Sequence, residues 1–369
     1  MMEVGMRLFY SAHFVVSGWN GQFIDKNETN THGSRGRKVT FVEPKKQSIV
    51  LLGDSQVVAS KSSLNNMPEA ILERLLMNRV QCTSIAAGGW GQDQQFLSLK
   101  QFYKNFRTDY VILWFTPHND VWNNMFPTHF PKNGWAKPTF WLEKNQLVGP
   151  TEGMKQIVYA TPRIRILEPF KLLWERPFIF NRDGYFEQYH LPESVQWVKK
   201  ENHLKKVIPF EQKLVGISQE ETTNFFQKEN FDNGKNHWSL WIEPRGQRLE
   251  YGIKLTNLLL REIQGLCKAN GTKFKIFWTE NIKGFNDFPS REINEPFENV
   301  TIGSKVFKLS NQIFLENMKL LMDGLENEKI VLQNKSWWRS KNDMHLNHES
   351  NVFVMKRISE GMTVNLKLP

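Results

Sequence analysis

The chain is poor in cysteine and contains no long apolar run. Only Cys82 and Cys267 occur among 369 residues, too few for a scaffold stapled by disulfides. Cys82 falls in a strand-like run and Cys267 in a helix-like one, which predicts two unpaired, partly buried thiols. No Cys-x-x-Cys pair and no His-Glu-x-x-His occurs, so no metal site is expected. No stretch of about 18 apolar residues exists, which excludes a membrane-spanning helix within this sequence. The Gly-x-Ser-x-Gly elbow is missing, which disfavours an α/β-hydrolase. Phosphate-cradling and dinucleotide-binding glycine loops are missing too, which disfavours a nucleotide-binding sheet.

What is present describes a globular protein. The composition is 40% hydrophobic and 23% charged, so wholesale disorder is excluded. The length suffices for a large core in one elaborated domain or two. Aromatics are abundant, with 13 Trp and 27 Phe. A formal charge of +10 favours anionic partners in principle. Lys and Arg are scattered among acids, however, without zinc-finger spacing, an RNP-like motif or a basic tail. The charge reads as a solvated basic surface, and no nucleic-acid partner is expected. The opening MMEVGMRLFYSAHFVVSGW places an Arg before an apolar stretch interrupted by His13, with no clear cleavage site. It reads as a core-packing segment or as the tail of a membrane anchor lying before residue 1.

Strand-like and helix-like runs alternate. Apolar strands are expected over Ser48 to Leu52, 80–87, 108–115, 274–279 and 328–333. Helical spacing occupies 64–78, 93–106, 245–268, 307–324 and 348–360. That alternation predicts a parallel sheet covered on both faces. Residues 20–46 read as polar loop. Residues 126–244 keep no such rhythm and cluster Trp135, Trp141, Trp174, Trp197, Trp238 and Trp241. A structureless loop of that length is improbable, so the stretch is expected to be an insertion with its own fold over one sheet edge. The tryptophans read most simply as its core, and alternatively as a stacking platform for sugar rings. The chain thus divides into an N-terminal segment (1–45), a core (46–125 and 245–369) and an insertion or cap region (126–244).

In a doubly wound sheet, ligands bind beyond the carboxyl ends of the strands. After the first expected strand stand Gly53, Asp54 and Ser55; after the second, AAGGWGQDQQ with Gly88, Gly89 and Gly91. After the third comes PHND with His118, Asn119 and Asp120, and after the fifth KNDMHLNHES with Asp343, His345 and His348. A serine hydroxyl needs a base, and the base a carboxylate to orient it. Ser55, His345 and Asp343 supply those parts. A tetrahedral intermediate also needs donors for its oxyanion, which the Ser55 N–H, a glycine-turn N–H and a side-chain amide would provide. Each element also has a plain structural reading: Asp54 and Ser55 as a helix cap, Asn119 and Asp120 as an Asx turn, His118 as a loop residue, and His348 in the first turn of the last helix.

Taken together, these residues resemble the four sequence blocks of the SGNH hydrolase superfamily, or GDSL-type esterases and lipases, in its bacterial carbohydrate-esterase-like branch. LLGDS is similar to the nucleophile block, AAGGWGQDQQ to the second, PHND to the third and DMHLN to the last. The resemblance covers roughly residues 45–125 and 245–365. It implies a three-layer α/β/α sandwich with a five-stranded parallel sheet of flavodoxin-like topology, and leaves the insertion unmatched. It implies Ser55 as nucleophile, His345 as base, Asp343 as its orienting acid, and an oxyanion hole of Ser55, Gly89 and Asn119. Trp90, beside Gly89, would line an acyl or sugar pocket or serve in packing.

The sequence departs from the family pattern at several places. Gln56 replaces the name-giving Leu, Ser84 stands where the second block has Asn, and Ser350 stands where a Gly follows the last block. Asn342 occupies the usual acid position, three before His345. Asp343, two before, resembles the Asp-x-His variant of some polysaccharide-modifying members. EVGMRLFY resembles the segment that follows a single N-terminal anchor in some relatives, and Gly33-Ser34-Arg35-Gly36 is similar to their Gly-x-Arg.

The function expected from the resemblance is a serine esterase that removes a short acyl group, foremost acetyl, from a carbohydrate or related ester, with no metal or organic cofactor. The alternatives are an O-acetyltransferase for a cell-surface polysaccharide and a non-catalytic carbohydrate-binding protein of the same fold. The family analogy places it on the periplasmic or extracellular side of the cell envelope, or secreted.

Overall fold

The computed structural model describes the backbone of residues 14–17, 22–25, 28–38, 46–125, 138–150, 239–245, 247–281, 297–302, 305–332, 338–340 and 343–363. Strands β1 (Phe14–Ser17) and β2 (Gln22–Asp25) pair as an antiparallel hairpin. The apolar run SIVLLG forms β3 (Gln47–Gly53), and the chain turns at once into a one-turn helix, α1 (Ser55–Val58). Helix α2 (Pro68–Leu75) starts on a proline, tolerated in a first turn because the missing N–H would have no partner there. Then follow β4 (Val80–Ala86), α3 (Gln92–Phe102), β5 (Tyr110–Phe115) and α4 (Pro117–Met125). A small hairpin, β6 (Trp141–Glu143) and β7 (Gln146–Val148), and the short β8 (Ile242–Glu243) are the described strands of the 126–244 region. Trp135, Trp174, Trp197 and Trp238 lie outside the described residues, and with them the expectation of a separately folded insertion. Trp241 is 4% exposed and stacks on Phe314 with ring centroids 4.1 Å apart.

Beyond this region the alternation resumes with α5 (Gln247–Ala269) and β9 (Lys273–Asn281). The antiparallel pair β10 (Phe297–Ile302) and β11 (Lys305–Leu309) precedes α6 (Asn311–Leu321). Helical spacing led us to expect a helix from residue 307, but 305–309 is strand. Its end pairs with β8, and the helix begins only where the Ser310 hydroxyl accepts the Ile313 N–H at 3.2 Å. Strand β12 (Asn327–Leu332), the hairpin β13 (Trp338–Ser340) and β14 (Asp343–Leu346), and helix α7 (His348–Thr363) complete the described chain.

Five parallel strands form one sheet in the order β12-β9-β5-β3-β4. Taken in chain order this is 2-1-3-4-5, the flavodoxin-like doubly wound arrangement. The inner strands β3 and β5 carry the apolar runs IVLL and YVILWF because both faces of the sheet are covered. Val50, Leu52, Val111, Leu113, Phe115 and Ile276 pack with α3, α4, α5 and α6 on one face. Ile49, Leu51, Ile112, Trp114, Phe277 and Ile330 pack with α1, α2 and α7 on the other. The result is a three-layer α/β/α sandwich. Leu51 is fully buried, and its truncation to alanine would cost roughly 2–5 kcal/mol.

Strand β4 is an edge strand whose outward backbone groups are closed by side chains rather than by another strand. Glu73 accepts from the Cys82 N–H at 2.7 Å, and Glu69 from the Ser84 N–H at 2.8 Å. Asn30 donates to the Ser84 carbonyl at 2.8 Å, and Ser34 accepts from the Ala86 N–H at 3.0 Å. These bonds withhold the N–H groups of Cys82, Ser84 and Ala86 and the Ser84 carbonyl from another strand.

Candidate active site

The Gly53-Asp54-Ser55 turn is built by a close approach. A Cβ on Gly53 would lie 2.5 Å from Val57 Cγ2 and 3.2 Å from the Trp114 carbonyl oxygen, so the helix can begin one residue beyond the strand only on glycine. Asp54 caps α1, its Oδ1 accepting the Gln56 N–H at 2.9 Å. Ser55 is the first helical residue and is half-buried. Ala59 ends the turn in the left-handed region (φ +42°), its N–H bonding the Ser55 carbonyl at 3.1 Å.

The second block follows β4 directly. The turn from Ala87 to Trp90 is closed by the Trp90 N–H on the Ala87 carbonyl at 3.2 Å, with φ +69° at Gly89. A positive φ at the third turn position is the type II geometry that favours glycine. Trp90 is 4% exposed and packs in the core on the α5 face, its indole N–H buried without a hydrogen-bond partner.

The third block is helix rather than loop. Pro117 opens α4, and Asp120 reaches back to accept the Thr116 N–H at 3.0 Å, in place of the Asx turn considered from sequence. His118 and Asn119 therefore sit in a first helical turn. The Asn119 amide donates to Asp54 Oδ2 at 3.0 Å, and the Thr116 hydroxyl to Asp54 Oδ1 at 3.3 Å. Asp54, 1% exposed, thus gathers the N–H of Gln56, the amide of Asn119 and a threonine hydroxyl on one carboxylate.

His345 arrives on a strand, in the hairpin inserted between the fifth parallel strand and the last helix. Strands β13 and β14 pair antiparallel, with Trp338 opposite Leu346 and Ser340 opposite Asp343. The Leu346 N–H donates to Gln56 Oε1 at 3.2 Å, fastening β14 beside the Ser55 turn. His345 is half-buried and acts electrostatically on Asp54. Burial pushes the Asp54 carboxyl up from 3.8, outweighing the Gln56 and Asn119 hydrogen bonds, the His345 charge and the Thr116 hydroxyl. Asp343 lies two positions before His345 on β14, and its side chain is outside the described residues.

Ser55, Asn119 and His345 are therefore brought to one edge of the sheet, with Gly89 beyond the end of the neighbouring strand. Among the described residues the Ser55 hydroxyl makes no hydrogen bond, to His345 or to another side chain. Catalytic hydrogen bonds commonly tighten only when substrate is bound. The other histidine of the last block, His348, is exposed at the start of α7, where Asn347 caps the helix by accepting the Ser350 N–H at 2.9 Å.

Two supports of this edge were given no role from sequence, although one includes the arginine of the Gly-x-Arg resemblance. One is a buried amide network: Gln92 donates to Asp120 at 2.8 Å, while Asn124 donates to Gln92 at 2.6 Å and to Thr256 at 2.8 Å. It locks the first turn of α3 to α4 and α5. The other is Arg35, buried against α1. Polar residues on otherwise apolar helix faces were the only sequence signal for the first. Among the described residues no group of three or more His, Cys, Asp or Glu is placed to hold a metal ion. No described helix is long and apolar enough to cross a membrane.

No family model matches the chain, and no curated protein matches it. Among solved structures it is similar to a carbohydrate acetylesterase family member from Sinorhizobium meliloti, at 10% identity and a TM-score of 0.32. That similarity covers 87% of this chain and 100% of the other. The assignment of the fold rests on the strand order described above.

Proposed function

We propose that the chain is a serine esterase of the SGNH type that releases a short acyl group, foremost acetyl, from a carbohydrate or related ester. The observation that carries this reading is the joining of the Ser55 turn to Asn119 through Asp54, with β14 and its His345 fastened to Gln56. In the proposed cycle His345 takes the Ser55 proton as Oγ bonds the ester carbonyl carbon. The negative oxygen faces the Ser55 N–H, the Gly89 N–H and the Asn119 amide. Collapse breaks the ester C–O bond, and the imidazolium returns the proton to the leaving alcohol. Water, deprotonated by His345, then attacks the acyl-enzyme carbonyl, and breaking the Ser55 ester frees the acid as the imidazolium returns its proton to Ser55 Oγ. Asp343, two before His345, is the proposed stabiliser of the imidazolium.

Asp54 is an unsuitable proton shuttle because its carboxylate oxygens already accept three donors away from solvent. Its role here is to aim Asn119 and cap the nucleophile turn. The Asp-x-His spacing favours a second reading in which a sugar hydroxyl replaces water as acceptor. The proposed site is the cell envelope or an extracellular location, after the family resemblance.

Release of p-nitrophenol from acetate, butyrate and octanoate esters tests the proposal. Ser55→Ala and His345→Ala should abolish turnover, and Asn119→Ala should lower kcat about 100- to 1000-fold. Acyl-enzyme breakdown that accelerates on adding a sugar acceptor would establish transfer. A folded wild type that neither turns over esters nor labels at Ser55 with a phosphonate would reject catalysis and leave the carbohydrate-binding reading.

A further inference from the structure

Helix α1 has four residues and cannot hold itself. Nucleating a helical turn fixes several dihedrals for one hydrogen bond, so an isolated turn melts. It also leaves carbonyls at its C-terminal end without intrahelical partners. The N-terminal end is capped by Asp54. The C-terminal end is met by a residue remote in sequence: Arg35 Nη1 donates to the Val58 carbonyl at 3.1 Å and to the Ala59 carbonyl at 2.9 Å, and Nη2 donates to the Ser62 carbonyl at 2.6 Å. The guanidinium is itself held, with Nε on Glu28 Oε2 at 2.7 Å, and Arg35 is 5% exposed.

The same short segment grips the neighbouring strand. Asn30 folds residues 30–34 onto themselves, its Oδ1 accepting the N–H groups of His32 and Ser34 at 2.9 and 3.1 Å. From that loop Asn30 and Ser34 bond Ser84 and Ala86, the last residues before the Gly89 turn. Residues 28–38 therefore touch both pieces of backbone that carry the proposed nucleophile and oxyanion N–H groups.

We propose that the 28–38 arm is the positioning element of the active site, with Arg35 as the positioning residue for Ser55. It sets α1 against β4, and hence the Ser55 N–H and Oγ against the Gly89 N–H. The fork geometry matters: one planar group spans three carbonyls, which a lysine ammonium cannot reproduce. Any displacement of the arm withdraws support from both sides of the oxyanion hole together. The catalytic consequence rests on the esterase reading; the structural claim does not.

The test uses the full chain with Arg35→Met and Arg35→Lys. Amide hydrogen exchange is followed at Val58 and Ala59, whose N–H groups bond Asp54 and Ser55. Turnover of p-nitrophenyl acetate is measured in parallel. Arg35→Met should lose exchange protection at those two amides while β5 keeps its protection. Its kcat should fall on the order of 100-fold, the effect of roughly 1 Å of misplacement, with KM little changed. Millimolar guanidinium should restore part of kcat, and ammonium at equal concentration should not. Should Arg35→Met fail to fold, Arg35→Lys carries the test, with an expected loss of about tenfold in kcat.

A folded variant with wild-type exchange and wild-type kcat would overturn the proposal. Loss of kcat with unchanged exchange at Val58 and Ala59, or without guanidinium rescue, would overturn it too. If the wild type proves inactive, the esterase reading falls, and exchange alone then decides whether the arm orders the turn.

Discussion

Replacing Gly53 by alanine probes the Ser55 turn at its tightest point. The new Cβ would stand 2.5 Å from Val57 Cγ2, about 1 Å inside the distance at which carbon atoms attract. Val57 cannot swing away, because it is fully buried and β-branched residues in a helix keep one side-chain rotamer. The second neighbour, the Trp114 carbonyl oxygen at 3.2 Å, belongs to the central strand. The remaining escape is a shift of α1 by roughly the missing ångström. Overpacking of this size costs about 1–3 kcal/mol, and the proposed nucleophile, displaced by that distance, should lose on the order of 100-fold in kcat. Urea unfolding with p-nitrophenyl acetate turnover on the same preparations measures both. A double-mutant cycle with Val57→Ala isolates the clash. Removing the opposing methyls should return 0.5 kcal/mol or more of the loss, within the usual range of about 0.5–3 kcal/mol for contacting pairs. Gly53→Ala with wild-type stability and wild-type kcat would refute the close-approach argument.

The remaining predictions concern buried titratable groups. Cys82 and Cys267 are both fully buried; burial pushes the Cys82 thiol well up and that of Cys267 to about 12. Ellman's reagent should therefore find no reactive thiol in the native protein and two after unfolding, and fast native modification would refute the packing around them. Asp54 titrates above its ordinary 3.8 in the folded state. The stability it contributes is fully present below about 4 and lost as pH rises through the raised value. Wild type minus Asp54→Asn, measured from urea midpoints at pH 4 and pH 7, should thus shift toward the variant at pH 7. The opposite drift would reverse the assignment of burial as the dominant cause.

Much of the sheet was legible because burial on both faces leaves a simple mark. SIVLLG and YVILWF are unbroken apolar runs, and both are parallel strands in the interior. The placement of Ser55, Gly89 and Asn119 was legible, since each follows the end of a parallel strand. Legibility failed where side chains, rather than periodicity, make the structure. PHNDVWNNM reads as a loop by composition, yet a proline in the first turn and an aspartate reaching back to Thr116 make it a helix. Strand β11 hid inside an apparent helix because five residues are too few for a period to declare itself. The His345 hairpin escaped for the same reason, with strands of three and four residues. Arg35 stood in a polar, glycine-rich stretch that carries no period, and its three carbonyl partners lie 23 to 27 positions away.

The bond between Gln56 and Leu346 joins positions 290 residues apart. A ribosome adding about 5–20 residues per second needs roughly 15–60 s to cross that interval. Well before it ends the nascent chain contains Arg35, Asp54, Thr116 and Asn119, the residues that bond the serine turn. The imidazole proposed to activate the serine has yet to be made. Under the proposed mechanism the order of synthesis would act as a safety catch: the proposed nucleophile is shaped early, and its proposed base emerges late, on a hairpin near the last helix.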